Sequence, residues 1–154
     1  MTTRSVVHDT FSIERRYQAA PARVFAAWSD AELKAKWFGP PGSDTKLDLD
    51  FRVGGHERLD EVQHEGHVYM YQALYQDIVE NQRIVYTYDM TMDGERISVS
   101  VTTVQLDPDG TGTTLTLTEQ GAYLDGLDTP AIREAGTRGN LDALATALGE
   151  PAGT

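Results

Sequence analysis

From Thr45 to Gly121 the chain reads as one strand after another, and only one later segment carries a sustained helical stripe. This order constrains the fold more than any motif does. A long antiparallel sheet with an apolar face must find something to cover it. Thr45 to Phe51 alternates through Leu47, Leu49 and Phe51, and Gly54-Gly55 marks a bend or a bulge that lets the strand curve. His56 to Gln63, His67 to Val79 and Arg83 to Met92 follow as strands, with a turn at Glu65-Gly66. Asp93-Gly94 makes a tight hairpin into Glu95 to Leu106. Asp107 to Gly112 is a turn, and Thr113 to Gly121 is the last strand.

Helical signals flank this block. Phe11 to Tyr17 alternates as a first strand, and Pro21 then suits the first turn of a helix bearing Val24, Phe25 and Trp28. Asp30 is placed to cap a second short helix carrying Leu33 and Trp37, which Gly39-Pro40-Pro41-Gly42 stops. After the strands, Thr129-Pro130 opens a long helix. Its residues Leu141, Leu144, Ala145 and Leu148 form one apolar stripe before Gly149. The expectation is an α+β domain over residues 11–149, with 1–10 disordered or extended and 150–154 frayed. Seven antiparallel strands form one curved sheet around the C-terminal helix, with two short helices between strands 1 and 2. One cylinder does not fill a concave sheet, so the gap between them is the default ligand site.

Composition narrows the function. The 154 residues suit one domain, which at this size buries about 70% of its unfolded surface. With no cysteine, disulfides, thiolate nucleophiles and Cys-based metal centres are excluded. A net charge of −11 opposes binding to nucleic acid or anionic membranes. No apolar run reaches the roughly 18 residues of a membrane span, and Met1 to Asp9 lacks a signal region. The expected location is the cytoplasm.

The order Tyr17-Gln-Ala-Ala-Pro21, Val24-Phe25, Ala27-Trp28, Leu33 and Trp37-Phe38-Gly39-Pro40 resembles the opening of Hsp90-activator-homology-1-like proteins. Arg52-Val-Gly-Gly55, Arg83 to Tyr88, Gly112 to Thr118 and Leu141 to Leu148 continue the resemblance. Thr118-Glu-Gln-Gly121 with Leu124-Asp-Gly126 is similar to a bacterial subgroup. The resemblance implies the helix-grip fold of the START/polyketide-cyclase superfamily. Two departures stand out: Gly136 is followed by Thr137 where the family often has tryptophan, and the additional domain of the Hsp90-stimulating members is not expected here.

Alternation supplies the candidate site. Tyr86 and Tyr88 share a face with Ile84 and Met90, and Tyr71 and Tyr75 share one with Tyr69 and Ala73. A tyrosine ring offers apolar contact while its hydroxyl needs a partner, as in a pocket for an aromatic molecule. Leu59 facing inward brings Glu57 and Glu61 with it, and Leu117, with Leu115, brings Glu119. Glu57 and Glu119 are therefore candidates for binding a cationic or hydroxylated group, and weaker candidates for general acid–base work. An arginine such as Arg15 or Arg138 could instead neutralise them. Phe51 and Leu144 add contact surface, and Phe38 beside Trp37 could close one mouth. His64 and His67 flank a turn near His56, but alternation puts His56 on the outer face, and no metal site is expected. No phosphate loop, nucleophile elbow or dinucleotide fingerprint is present. The leading expectation is binding of a hydrophobic, aromatic or polyketide-like small molecule without a cofactor. A cavity enzyme such as a cyclase, dehydratase or hydrolase is the second, and a protein-interaction module the third. A homodimer is the oligomer to expect.

Overall fold

Seven strands and three helices follow in the order β1 (Val6–Tyr17), α1 (Pro21–Ser29), α2 (Ala31–Lys34), β2 (Leu47–Leu49), β3 (His56–His64), β4 (His67–Val79), β5 (Arg83–Met92), β6 (Glu95–Asp109), β7 (Gly112–Leu124) and α3 (Pro130–Ala147). The computed structural model describes residues 3–40 and 46–150. Pro41, Gly42, Thr45 and the tail from Pro151 lie outside them. The strands form one antiparallel sheet in the order β1-β7-β6-β5-β4-β3-β2, which curls around α3 as a helix-grip fold.

Several boundaries differ from the sequence reading. β1 begins at Val6, because Val6 to Thr10 pair with Leu124 to Gln120 through the backbone while their side chains stay exposed. Exposure on both faces erases the alternation by which a strand is recognised. Asp107 to Asp109 extend β6 instead of forming a turn. Pro108 is tolerated because β5 pairs only as far as Gln105 and the Leu106 N–H closes that edge on the Gln82 carbonyl, so no β5 partner asks Pro108 for a donor. β2 is only Leu47–Leu49, and Gly54-Gly55 lies in the turn that follows. Gly54 has φ +84°, and a Cβ on Gly55 would sit 2.1 Å from the Asp50 carbonyl oxygen. The bulge is instead between Leu59 and Val62 on β3, where Glu61 takes φ +53°. It turns Glu61 out to solvent, against its expected inward direction.

The second and third helices are capped as the sequence implies. The Asp30 carboxylate accepts from the N–H groups of Glu32 and Leu33, and the Thr129 hydroxyl accepts from that of Ile132 at the start of α3. α2 ends at Lys34, however, and Trp37 lies in the turn beyond it. The core fills the concave side. Ile13, Ile84, Val104, Leu115 and Leu117 from the sheet meet Val24 and Trp28 of α1 and Leu141, Leu144 and Ala145 of α3. The C-terminal half of α3 is fixed to β1, where Tyr17 donates to the Leu141 carbonyl at 2.9 Å and Arg15 pairs with Asp142.

Candidate functional site

Alternation on β4 and β5 turns Tyr71, Ala73 and Tyr75 inward beside Tyr86 and Tyr88, with Tyr75 opposite Tyr86 and Ala73 opposite Tyr88. These tyrosines form the middle of a continuous aromatic chain. Its rings run Phe25, Phe51, Tyr75, Tyr86, Tyr88, Tyr71, Phe38, Trp37 and Trp28, with successive centroids 4.7–6.1 Å apart. Phe38 and Phe51 are half-buried at its margins, packing on Tyr71 and Tyr75.

Both glutamates project into this wall. Glu57 is 0% exposed. Its Oε1 accepts from Tyr71 and Tyr75 at 3.1 and 3.3 Å, and its Oε2 lies 2.6 Å from the ammonium of Lys34, also 0% exposed. Trp28, Trp37, Phe38 and Tyr86 surround that ammonium, with ring centroids 4.5–5.9 Å from Nζ. Burial pushes the Lys34 amine below its ordinary value, and Glu57 opposes the shift. The aromatic faces supply further attraction to the charged form.

Glu119 anchors a second network. Its carboxylate accepts from Tyr88 at 2.8 Å and from Thr102 at 3.0 Å. Arg133 of α3 donates to the Tyr88 hydroxyl at 2.7 Å and to Ser98 at 2.9 Å, pairs with Asp128, and lies 3.9 Å from Glu119. Burial raises Glu119 above the usual carboxylate range, with Arg133 and the hydroxyl donors pulling the other way. The site thus offers aromatic surface and two ion-paired carboxylates, one of them biased towards its protonated form.

Apart from Glu61, the inward residues singled out from the sequence are buried or half-buried, including Leu59, Leu117 and, on α3, Leu144. The cations are not those expected, since Arg15 pairs with Asp142 and Arg138 with Glu134. Lys34 and Arg133 take their place. Leu33 drew attention as the apolar residue of α2, yet it is exposed and Lys34 is buried. The available signal was spacing: Lys34 stands three residues before Trp37, and inward glutamates require cations. Outside the wall, His56 and His67 turn to the carboxylates of Asp48 and Asp93 at 3.1 and 2.7 Å, and His64 lies 3.7 Å from Glu65.

Two surface hollows stand apart from the wall. An open groove of about 490 Å³ lies beside Glu61, Tyr69 and Thr91, and one of about 80 Å³ lies between Arg23, Leu33 and Leu148. Neither is lined by Tyr71, Tyr75, Tyr86 or Tyr88. In α3, no side chain between Arg133 and Leu141 is fully buried, and a Cβ on Gly136 or Gly139 would meet nothing within 4 Å.

Solved structures share this architecture. Mll3558 from Rhizobium loti is 46% identical, covering 93% of this chain and 99% of that one with a TM-score of 0.86. An uncharacterized protein from Rhizobium leguminosarum is 42% identical, covering 96% and 99% with a TM-score of 0.89. CalU16 from Micromonospora echinospora is 20% identical, covering 96% and 86% with a TM-score of 0.63, and shares the fold. Comparison with curated proteins yields no match. The family model for activator of Hsp90 ATPase homolog 1-like proteins matches residues 18–149, spanning both carboxylate networks, and the chain belongs to that family.

Proposed function

We propose that the protein binds a hydrophobic, aromatic or polyketide-like small molecule between the tyrosine wall and α3. One observation carries this reading. The wall bears buried, ion-paired carboxylates, and it faces a helix that holds no fully buried side chain between Arg133 and Leu141. Folding does not require such a polar interior, since apolar residues of similar volume do as well or better than buried ion pairs. Titratable groups gathered on a concave aromatic face instead suit recognition. In this reading the rings of Tyr86 and Tyr88 supply contact area, and the Glu57 and Glu119 networks select the ligand's polar groups. Family membership supports ligand binding as the general role.

A second reading is acid–base catalysis on the bound molecule, which the burial of Glu119 supports by raising its proton affinity, with the Tyr88 hydroxyl donating to it at 2.8 Å. Glu57, held by Lys34, is less suited to that work.

A thermal-shift screen of aromatic and polyketide-like compounds tests the proposal. A ligand at 100 times its Kd adds about 2.7 kcal/mol of stability. The expected result is at least one compound that raises Tm, with a smaller rise in Glu57→Gln or Glu119→Gln. A broad library of such compounds without a single hit on the parent would refute the binding role.

A further inference from the structure

Two buried hydroxyls on the concave face have no hydrogen-bond partner among the described residues: Ser100 Oγ on β6 and Tyr123 Oη on β7. Both residues are 1% exposed. The register brings them together, with Ser100 opposite Gly121 and Tyr123 two residues further along the same strand. A Cβ on Gly121 would lie 2.9 Å from Tyr123 Oη and 3.0 Å from Ser100 Oγ. The hydroxyls therefore converge over the one position in this part of the wall that lacks a side chain. An unsatisfied buried hydroxyl costs about 1–3 kcal/mol, so two together call for an occupant.

The surroundings define that occupant. Arg133 stacks over the Tyr123 ring at 5.7 Å, but its hydrogen bonds run to Tyr88, Ser98 and Asp128. Arg133 already faces two carboxylates, Glu119 at 3.9 Å and Asp128 in direct contact. Two carboxylates on one cation disfavour a third. A hydroxyl donates and accepts equally well, so the pair suits an uncharged oxygen.

Resting on the ligand-binding reading above, we infer that Ser100, Tyr123 and Gly121 form the polar subsite of the interior site, which takes a neutral hydroxyl or carbonyl oxygen of an aromatic ligand and rejects a carboxylate. Gly121 keeps the place open, and Tyr88 supplies an aromatic surface beside it, since Tyr88 lies opposite Ser100.

Fluorescence titration with 1-naphthol, 2-acetylnaphthalene, naphthalene and 1-naphthoate tests this, using the parent, Ser100→Ala and Tyr123→Phe. The naphthol and the ketone should bind about tenfold tighter than naphthalene, and naphthoate about tenfold weaker than naphthol. Each variant should lose about fivefold in naphthol affinity, leave naphthalene unchanged, and melt no lower than the parent without ligand. Equal binding of naphthol and naphthalene overturns the subsite while leaving the site itself standing. So does naphthoate binding as tightly as naphthol. Variants that melt lower yet keep the naphthol-to-naphthalene ratio reduce the hydroxyls to a structural role and overturn it too. Binding by none of the four compounds overturns the subsite, and the library screen above then decides the pocket reading separately.

Discussion

Lys34→Met nearly preserves the volume of the side chain and removes its charge. Glu57 then stays buried, with two tyrosine donors on Oε1 but without the cation 2.6 Å from Oε2. Removing one partner of a buried pair costs about 3–5 kcal/mol. At about 2–4 °C per kcal/mol for a domain of this size, Tm should fall by roughly 6–20 °C. Glu57→Gln should cost about as much, because the ammonium would remain among four rings without a counter-ion, and cation–π attraction returns only about 2 kcal/mol. The double variant behaves differently. A neutral amide at position 57 still accepts from Tyr71 and Tyr75, and a thioether packs well against aromatic rings. Its loss should therefore fall short of the summed single losses by about 2 kcal/mol or more. Urea denaturation of the parent, both single variants and the double variant measures this coupling. Single losses below about 1 kcal/mol, or strictly additive losses, would refute the reasoning by showing that the pair is not desolvated.

Two further outcomes follow from single sites. Burial raises the Glu119 carboxyl above its ordinary 4.5, so the folded state holds that proton more tightly than the unfolded chain does. Its contribution to stability is full below the ordinary value and is lost as pH rises through the folded one. Glu119→Gln, neutral throughout, should gain on the parent in Tm as pH rises above the ordinary value of 4.5, and a pH-independent difference would contradict the assignment. Gly55→Ala forces a Cβ to within 2.1 Å of the Asp50 carbonyl oxygen and should cost about 2–4 kcal/mol, seen as a lowered circular-dichroism melt. A melt matching the parent's would mean that the turn relaxes freely.

The strands from His56 to Met92 were legible because one face is buried and the other wet, so the side chains alternate. The start of β1 was not, since the side chains of Val6 to Thr10 are exposed and only their backbone is engaged. The inward carboxylates could be found from Leu59 and Leu117, but their counter-ions could not. Lys34 reaches Glu57 from another element, and Arg133 reaches Glu119 from the far helix. Such pairings depend on tertiary distance, which periodicity along the chain does not encode. Glu61 misled for a local reason: the bulge adds a residue and reverses the alternation after Leu59.

The pairing of β1 with β7 also bears on how the molecule assembles. Neighbouring strands from β2 to β7 are consecutive in the chain and can zip together turn by turn, whereas Ser12 meets Thr118 across 106 residues. Closing so long a loop carries the largest chain-entropy cost in the sheet and makes this the slow pairing. Because Tyr17 and Arg15 hold α3, the terminal helix has no complete seat until β1 docks. The topology thus orders folding: the meander with its tyrosines first, then the first strand, and the closure of the grip last.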